Sequence, residues 1–303
     1  MTGPLWAVVA GAGFGVFQAF NRRAVQGMDV YSSTFLQLFV STLVLATVSV
    51  ATQDLHLLRA APPEALVNFG LAGFVHFFVG WTLLNASQKR IGAARTSPLI
   101  GTSPFFGTAI AVLALREFPT LAALLGIALT VGGVTLVSDG QAEGGDTLAD
   151  PDQAVALQAG WQGVLPGLAT ALCWAISPVF IRYGLRGLPS PLVGVTVGLA
   201  ISAAAYGLAL AIRQKRSPAR ISLDAFLFKV GAAILVGLST WARWVALDLS
   251  PVAVVLALAS ISVPTAIVLA PVVVGRHLEQ VTRRLWVGAA LVVGGSVLLV
   301  FAR

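Results

Sequence analysis

The second half of this 303-residue chain repeats its first half. Over the larger part of each copy, identical residues recur 160 positions apart, namely Phe20 and Phe180, Arg22 and Arg182, Gly27 and Gly187, Trp81 and Trp241, and Pro104 and Pro264. The offset then becomes 162, and nine of the twenty positions from Glu117 to Leu136 are identical to their partners between Glu279 and Leu298. A duplicated hydrophobic domain is typical of membrane transporters.

The composition indicates that the chain lies in a lipid bilayer. Hydrophobic residues make up 57% of the sequence and charged residues 10%, whereas soluble domains carry about 25% charged residues. Apolar stretches of roughly 20 residues, the length that crosses a bilayer, occur at 4–20, 30–51, 64–86, 92–115, 120–138, 160–181, 190–212, 225–247, 251–274 and 285–302. Because five spans per copy reverse the orientation of the second copy, the sequence predicts an all-α integral membrane protein whose ten transmembrane helices form two inverted five-helix repeats.

The predicted domains are a first repeat at 1–138, an acidic linker at 139–159 and a second repeat at 160–303. The start of the chain lacks the basic region of a signal peptide, so we expect the first span to remain in the mature protein. Cys173 is the single cysteine, which excludes an intramolecular disulfide. The net charge of +7 comes from basic residues at span ends, which favours contacts with lipid headgroups over nucleic acid.

The distribution of basic residues bears on orientation. Eleven of the nineteen Lys and Arg residues fall in the loops after spans one, three, seven and nine, and five fall on the opposite side. The positive-inside rule then places both termini outside the cytoplasm.

Spans four and nine each contain two prolines, which remove backbone hydrogen bonds and interrupt helices. Broken helices at equivalent places in two halves point to a substrate site. The four candidate helix-break residues are Pro98, Pro104, Pro264 and Pro271. Glycines in spans five and ten, at 126, 132, 133, 288, 294 and 295, are typical of close helix packing.

These features together resemble the EamA-like members of the drug/metabolite transporter superfamily, which are built from two five-helix repeats. The resemblance lies in Trp81, Pro104, the segment from Glu117 to Thr120 and the glycine-rich helix that follows, with a second copy at Trp241, Pro264, Glu279 to Thr282 and the final helix. The family usually has Gly before the acidic residue, where this chain has Arg116 and Leu278. The resemblance implies a secondary transporter in the plasma (inner) membrane with both termini in the cytoplasm, which disagrees with the count of basic residues and leaves the orientation open.

Ionisable residues within the spans are the first candidates for function. No Asp or Glu lies in the middle of a span, which disfavours exchange of cationic drugs for protons on an intramembrane glutamate. His76 lies near the middle of span three, where it is a candidate for proton coupling or for binding a substrate carboxylate, or else a hydrogen-bonded core residue. Arg243 either binds an anionic substrate group or pairs with the nearby Asp248. Lys229 and Arg95 lie nearer to span ends and are interpreted as interface anchors.

Polar and aromatic residues in the spans suit a cavity for a small metabolite, because aromatic faces supply contact area and amides fix orientation. The predicted substrate-binding residues are Gln18, Gln37, His76, Trp81, Trp174, Ser177, Trp241 and Arg243. We expect no catalytic residues, no metal and no cofactor, and the partners are a small-molecule substrate and the lipid bilayer; the sequence does not distinguish a monomer from a homodimer.

The prediction is a transporter that moves a small metabolite by alternating access, with amino acids or related compounds exported. Alternatives are a carrier of nucleotide sugars, sugar phosphates or lipid-linked substrates, in which Arg243 and Arg95 bind phosphate, and an intramembrane enzyme. The enzyme is disfavoured because it needs clustered His, Asp, Glu or Cys groups within the bilayer, and His76 stands alone in the sequence pattern.

Overall fold

The computed structural model describes residues 2–24, 30–52, 56–145, 160–213, 222–273 and 283–301. Within these ranges only the backbone is described at 22, 30, 56, 88–98, 138–145, 160–162, 213, 267, 270, 271 and 300. The described residues form helices and turns, with no strand.

The first half contains seven α-helices and two π-helical segments within the described ranges. They are α1 (Gly3–Ala24), α2 (Val30–Thr52), α3 (His56–Ala60), α4 (Pro63–Gly73), a π-helical segment (Phe74–Val79), α5 (Gly80–Gly101), α6 (Ser103–Ile110), a second π-helical segment (Ala111–Leu115) and α7 (Leu121–Gly145). Ser87 and Leu99 of α5 both lie against Gly167, although a straight helix would separate them by about 18 Å. The chain therefore reverses direction within α5, which ends span three and begins span four.

The described part of the second half follows the same plan. Its helices are α8 (Gly160–Gly187), α9 (Pro191–Arg213), α10 (Leu223–Leu249), α11 (Val252–Leu258), a 3₁₀ turn (Ala259–Ile261), α12 (Ser262–Val273) and α13 (Arg283–Phe301). Six segments are long and apolar enough to cross a bilayer, and three shorter apolar segments lie at Leu99–Leu115, Leu121–Val137 and Val252–Ala266. With α13 they account for the ten spans, so the predicted all-α, ten-helix architecture is confirmed.

Helices α7 and α13, the last of each repeat, pack against each other through their glycines. A Cβ added to Gly133 would lie 2.6 Å from the carbonyl oxygen of Gly288, and one added to Gly295 would lie 2.7 Å from that of Gly126. Gly126 and Gly288 are repeat equivalents, as are Gly133 and Gly295. When each glycine is replaced by its repeat equivalent, the first contact becomes the second. This relation is the one expected of a pseudo-two-fold axis between the halves. The predicted packing role is wrong for Gly132 and Gly294, which have no atom within 4 Å of an added Cβ.

The contact between α7 and α13 allows a matched pair of substitutions to be compared. Gly133→Ala should destabilise the protein by about 1–3 kcal/mol, because a methyl group would overlap the Gly288 carbonyl and force the helices apart. Gly132→Ala should be neutral or slightly stabilising, since alanine favours a helix by about 1 kcal/mol over glycine and the site is open. Thermal unfolding of both variants in detergent checks the difference. Equal melting temperatures would contradict the packing described for α7 and α13.

The two faces of the helix bundle can be named from the contacts at the helix ends. On one side Gly3 lies against Ser250, Gly187 lies against Ala65, and Glu117 contacts Arg182. We call this the Glu117 face. On the opposite side the ends of α1 and α12 meet the start of α10 at Arg23, and we call this the Arg23 face.

Candidate functional site

A π-helical segment positions His76. Phe74–Val79 interrupts the α-helical run of span three, and such insertions are frequent at functional sites because they shift the register of the side chains around them. The imidazole of His76 is buried among α8 and α10. The segment has no proline or glycine of its own, so hydrophobic periodicity does not reveal it.

His76 links the two halves of the protein by hydrogen bonds. Arg243 of α10 donates from Nη1 to His76 Nε2 at 3.2 Å, and His76 Nδ1 lies 2.9 Å from Ser177 Oγ of α8. A guanidinium only donates, so Nε2 must accept. The proton of the neutral ring therefore resides on Nδ1 and is donated to Ser177. This arrangement fixes both the tautomer and the ring orientation of His76.

Trp174 covers one side of the imidazole. The two rings are stacked with centroids 5.5 Å apart and an interplanar angle of 21°. The indole Nε1 also donates to the backbone oxygen of His76 at 3.2 Å. The approach depends on Gly80, because a Cβ there would lie 2.8 Å from the indole nitrogen. We call His76, Trp174, Ser177 and Arg243 the histidine–arginine cluster.

Arg243 has hydrogen-bonding capacity that the described residues leave unused. The residue is 8% exposed, and both Nε and Nη2 are buried without a hydrogen-bond partner in the described part of the chain. Nε and Nη2 form one edge of the guanidinium, the edge that binds a carboxylate through two parallel hydrogen bonds. Unsatisfied buried donors of a cation are costly. The arrangement is therefore that of an anion-binding edge.

The predicted pairing of Arg243 with Asp248 is not among the contacts of the described residues. Asp248 is exposed near the end of α10, and its backbone oxygen accepts a hydrogen bond from Arg182. Five residues separate the two side chains, which places them about 140° apart around a helix. Arg243 instead faces His76.

The cluster unites four of the eight predicted substrate-binding residues, and the others lie elsewhere. Trp81 reaches it indirectly, since its ring packs on Phe77, whose ring packs on His76. Trp241 packs edge-on against Trp6, with centroids 5.8 Å apart. Gln18 is exposed on α1, and Gln37 is buried beside Lys229.

The candidate helix-break residues Pro104 and Pro264 occupy equivalent places. Pro104 lies in the first turn of α6, directly after the interruption at Thr102. Pro264 lies in the first turn of α12, directly after the 3₁₀ turn that ends at Ile261. The side chains of Pro98 and Pro271 lie outside the described part of the structure.

A second polar cluster, which the sequence did not single out as a site, lies at the Glu117 face. Arg182 of α8 donates from Nη2 to Glu117 Oε1 at 2.5 Å and to the backbone oxygen of Ser250 at 2.9 Å. The other carboxylate oxygen of Glu117 accepts from the backbone N–H of Val252 at 2.8 Å, at the start of α11. Glu117 thus binds two elements of the second repeat at once.

The backbone before Glu117 aims the carboxylate at that contact. Arg116 adopts a left-handed conformation with φ of 60°, the one such non-glycine residue among those described, and it ends the second π-helical segment. A cavity of about 200 Å³ adjoins the ion pair and is lined by Leu115, Glu117, Arg182, Leu185, Arg186 and Asp248. The sequence could have indicated this pair, because Arg182 and Glu117 are each identical to the equivalent residue of the other repeat. Those equivalents are Arg22 and Glu279.

Comparison with known proteins identifies the family of this arrangement. The model of the EamA-like transporter family matches residues 1–139 and 161–301. A crystal structure described only as that of a protein superposes with a TM-score of 0.77 and 18% sequence identity, covering 99% of this chain and 98% of that chain. At this identity the likeness shows the fold alone. No curated protein matches the chain.

Proposed function

Because this chain belongs to the EamA-like transporter family, we propose that it is a secondary transporter that moves a small carboxylate-bearing metabolite by alternating access. Its physiological task is export of amino acids or related compounds across the plasma (inner) membrane. That the protein is a multi-pass membrane transporter follows from the family and from its apolar helices. The amino-acid class comes from the family resemblance.

The observation that supports a carboxylate-bearing substrate is the unused edge of Arg243. Two adjacent donors, Nε and Nη2, are buried without partners among the described residues, while His76, itself bonded to Ser177, holds Nη1 in place. A carboxylate would satisfy both donors and neutralise the charge. His76 then acts as a positioning residue, because its Nε2 fixes the orientation of the guanidinium.

A phosphate-bearing substrate is the second candidate, since guanidinium edges also bind phosphate. The dianion of a phosphate monoester is usually held by more than one cation. The other buried cation of α10, Lys229, lies fourteen residues from Arg243, or about 21 Å along the helix. That separation is too large for one phosphate group. The side chain of Arg95, the second arginine of the phosphate alternative, lies outside the described residues, and among those described a single carboxylate fits the cluster better.

Alternating access is supported by the ion pair at the Glu117 face. Glu117 belongs to the first repeat and Arg182 to the second, and their contact ties the two halves together on one side of the membrane. The sequence equivalents of this pair in the other repeat are Arg22 and Glu279, whose side chains lie outside the described part of the structure. We infer that the Glu117–Arg182 pair holds this face closed in the state seen here and separates when the face opens during transport.

The test is an untargeted comparison of intracellular and extracellular metabolites among a strain lacking the gene, a strain overexpressing it, and a strain expressing Arg243→Gln at the same membrane level. We expect the overexpressing strain to accumulate specific carboxylates outside the cell and the variant strain to resemble the deletion. The proposal fails if the metabolites of the three strains do not differ, or if the compounds that differ lack a carboxylate.

A further inference from the structure

A buried lysine lies apart from the histidine–arginine cluster. Lys229 is 1% exposed, and its Nζ donates to Asn21 Oδ1 of α1 at 2.5 Å and to Gln37 Oε1 of α2 at 2.6 Å. The expectation that Lys229 is an interface anchor is therefore wrong. Its side chain is enclosed between helices of the first repeat and does not extend along α10 to the membrane surface.

The depth of Lys229 in the membrane follows from the length of α10. The helix has 27 residues and spans about 40 Å, while the hydrocarbon core is about 30 Å thick. When the helix is centred on its middle residue, Val236, the core covers about ten residues on each side of it. Lys229 and Arg243 both lie seven residues from that centre and so within the core. An ionisable group at such depth is a functional candidate by default.

The partners of Lys229 fit an amine that gains and loses a proton. A neutral amine has two N–H donors and one lone pair, and the site offers two neutral amide oxygens for those donors. An ammonium group has a third donor and a charge, for which the described residues provide neither a further acceptor nor a carboxylate. The lone pair is the place where a proton is taken up.

On α1 and α2, the charged and titratable groups whose side chains are described are otherwise engaged, and the side chain of Arg22 lies outside the described residues. Arg23 of α1 pairs with Asp224 of α10 through Nε and Nη2, both at 3.2 Å, and also donates to the backbone oxygen of Val273. On α2 the titratable group is Tyr31, which has an interaction of its own. Among the described residues, therefore, no anion compensates a charge on Lys229.

We propose that Lys229 is a proton-binding site that couples transport to proton movement, an inference that rests on the proposed transport function. Lys229 belongs to the second repeat and both of its partners to the first, so its hydrogen bonds close the seam between α10 and the α1–α2 pair. When the seam opens to water, a proton passes from water to the lone pair of Nζ. When it closes around the two amide oxygens, Nζ releases that proton to the water on the other side of the membrane, so that one proton crosses in each transport cycle.

Proton flux is measured in proteoliposomes that contain the pH indicator pyranine, with an equimolar mixture of the twenty standard amino acids added outside. The parent protein should change the internal pH on addition, whereas Lys229→Met and Lys229→Gln should lose that change and still exchange radiolabelled amino acids. Arg59→Gln, which changes an exposed arginine near the end of α3, should retain proton flux. Proton flux that persists at the parent rate in both lysine variants would overturn the proposal.

A substrate-independent measurement separates failure of this proposal from failure of the transport function. In a Cys173→Ser background, Gly231→Cys places a thiol in the α1–α10 seam beside Phe20, and Ile212→Cys provides an exposed reference thiol. Relative to the reference, labelling of the seam thiol should rise at least several-fold between pH 8 and pH 6 when Lys229 is present. With Lys229→Met it should not change. The proposal would be overturned if the ratio of seam-thiol to reference-thiol labelling depended equally on pH in the protein with Lys229 and in Lys229→Met.

Gln37→Leu keeps the lysine and removes one of its two acceptors. It therefore tests the proposal even if the lysine variants fail to fold. We expect this variant to open the seam at both pH values and to lower the pH dependence of labelling. If its labelling matches that of the parent protein at each pH, the two-acceptor site does not control the seam and the proposal is wrong.

Discussion

Replacement of Arg243 by Gln should weaken substrate binding by roughly 30- to 3,000-fold, which is the largest effect that we expect of any single substitution. The estimate reflects the loss of a buried, hydrogen-bonded charge pair with the substrate carboxylate, which costs about 2–5 kcal/mol. Arg243→Lys should be intermediate, because an ammonium group keeps the charge but lacks the flat edge with two parallel donors. The half-saturating concentration for amino-acid exchange in proteoliposomes measures both effects.

Arg59→Gln is the control for this experiment, since Arg59 is an exposed arginine near the end of α3. It should leave exchange within about twofold of the parent protein. The account of the histidine–arginine cluster would be contradicted if Arg243→Gln inserted in the membrane at normal levels and bound substrate as tightly as Arg59→Gln does.

Reversal of the charge at Glu117 should open the Glu117 face. Glu117→Arg places two guanidinium groups in contact and removes the acceptor for the N–H of Val252, whereas the double variant Glu117→Arg, Arg182→Glu restores opposite charges. The loss of one hydrogen bond to a charged group costs about 1.5–3 kcal/mol, so the ratio of closed to open states should fall by at least roughly 10- to 150-fold. The double variant should recover part of this loss.

The readout is the labelling rate of a thiol at Leu115, which lines the cavity beside the ion pair, in a Cys173→Ser background. Arg186→Gln removes a neighbouring positive charge that lies over the ring of Tyr183 and not on Glu117, so this variant should label at the parent rate. Slow labelling in Glu117→Arg, or fast labelling in Arg186→Gln, would show that the Glu117–Arg182 pair is not what closes this face.

The repeat made most of the fold predictable. Trp81 with Trp241, and Pro104 with Pro264, fixed the relation between the halves, and hydropathy fixed the spans. The histidine–arginine cluster was predictable only as separate residues, because His76 and Arg243 are 167 positions apart and only packing brings them together. Which edge of Arg243 remains unused depends on which of its N–H groups donates to His76, and no sequence pattern predicts that choice.

Lys229 shows why depth alone was misleading. Its position near the start of span eight suggested an anchor at the membrane surface, but α10 begins at Leu223 and Lys229 faces α1 and α2. Gln37, predicted to bind substrate, is a partner of this lysine. The orientation of a side chain around its helix decided both assignments, and an almost uniformly apolar helix offers little periodicity from which to read it.

Recognition of a carboxylate through Arg243 can be tested by counterflow in proteoliposomes. Vesicles are preloaded with an unlabelled amino acid, and entry of the same labelled amino acid is measured against two competitors, its methyl ester and the corresponding decarboxylated amine. We predict that the free amino acid competes, that neither competitor without a carboxylate does so, and that Arg243→Gln abolishes counterflow. Competition by the ester equal to that of the free acid, or absence of counterflow across all twenty amino acids, would contradict the account.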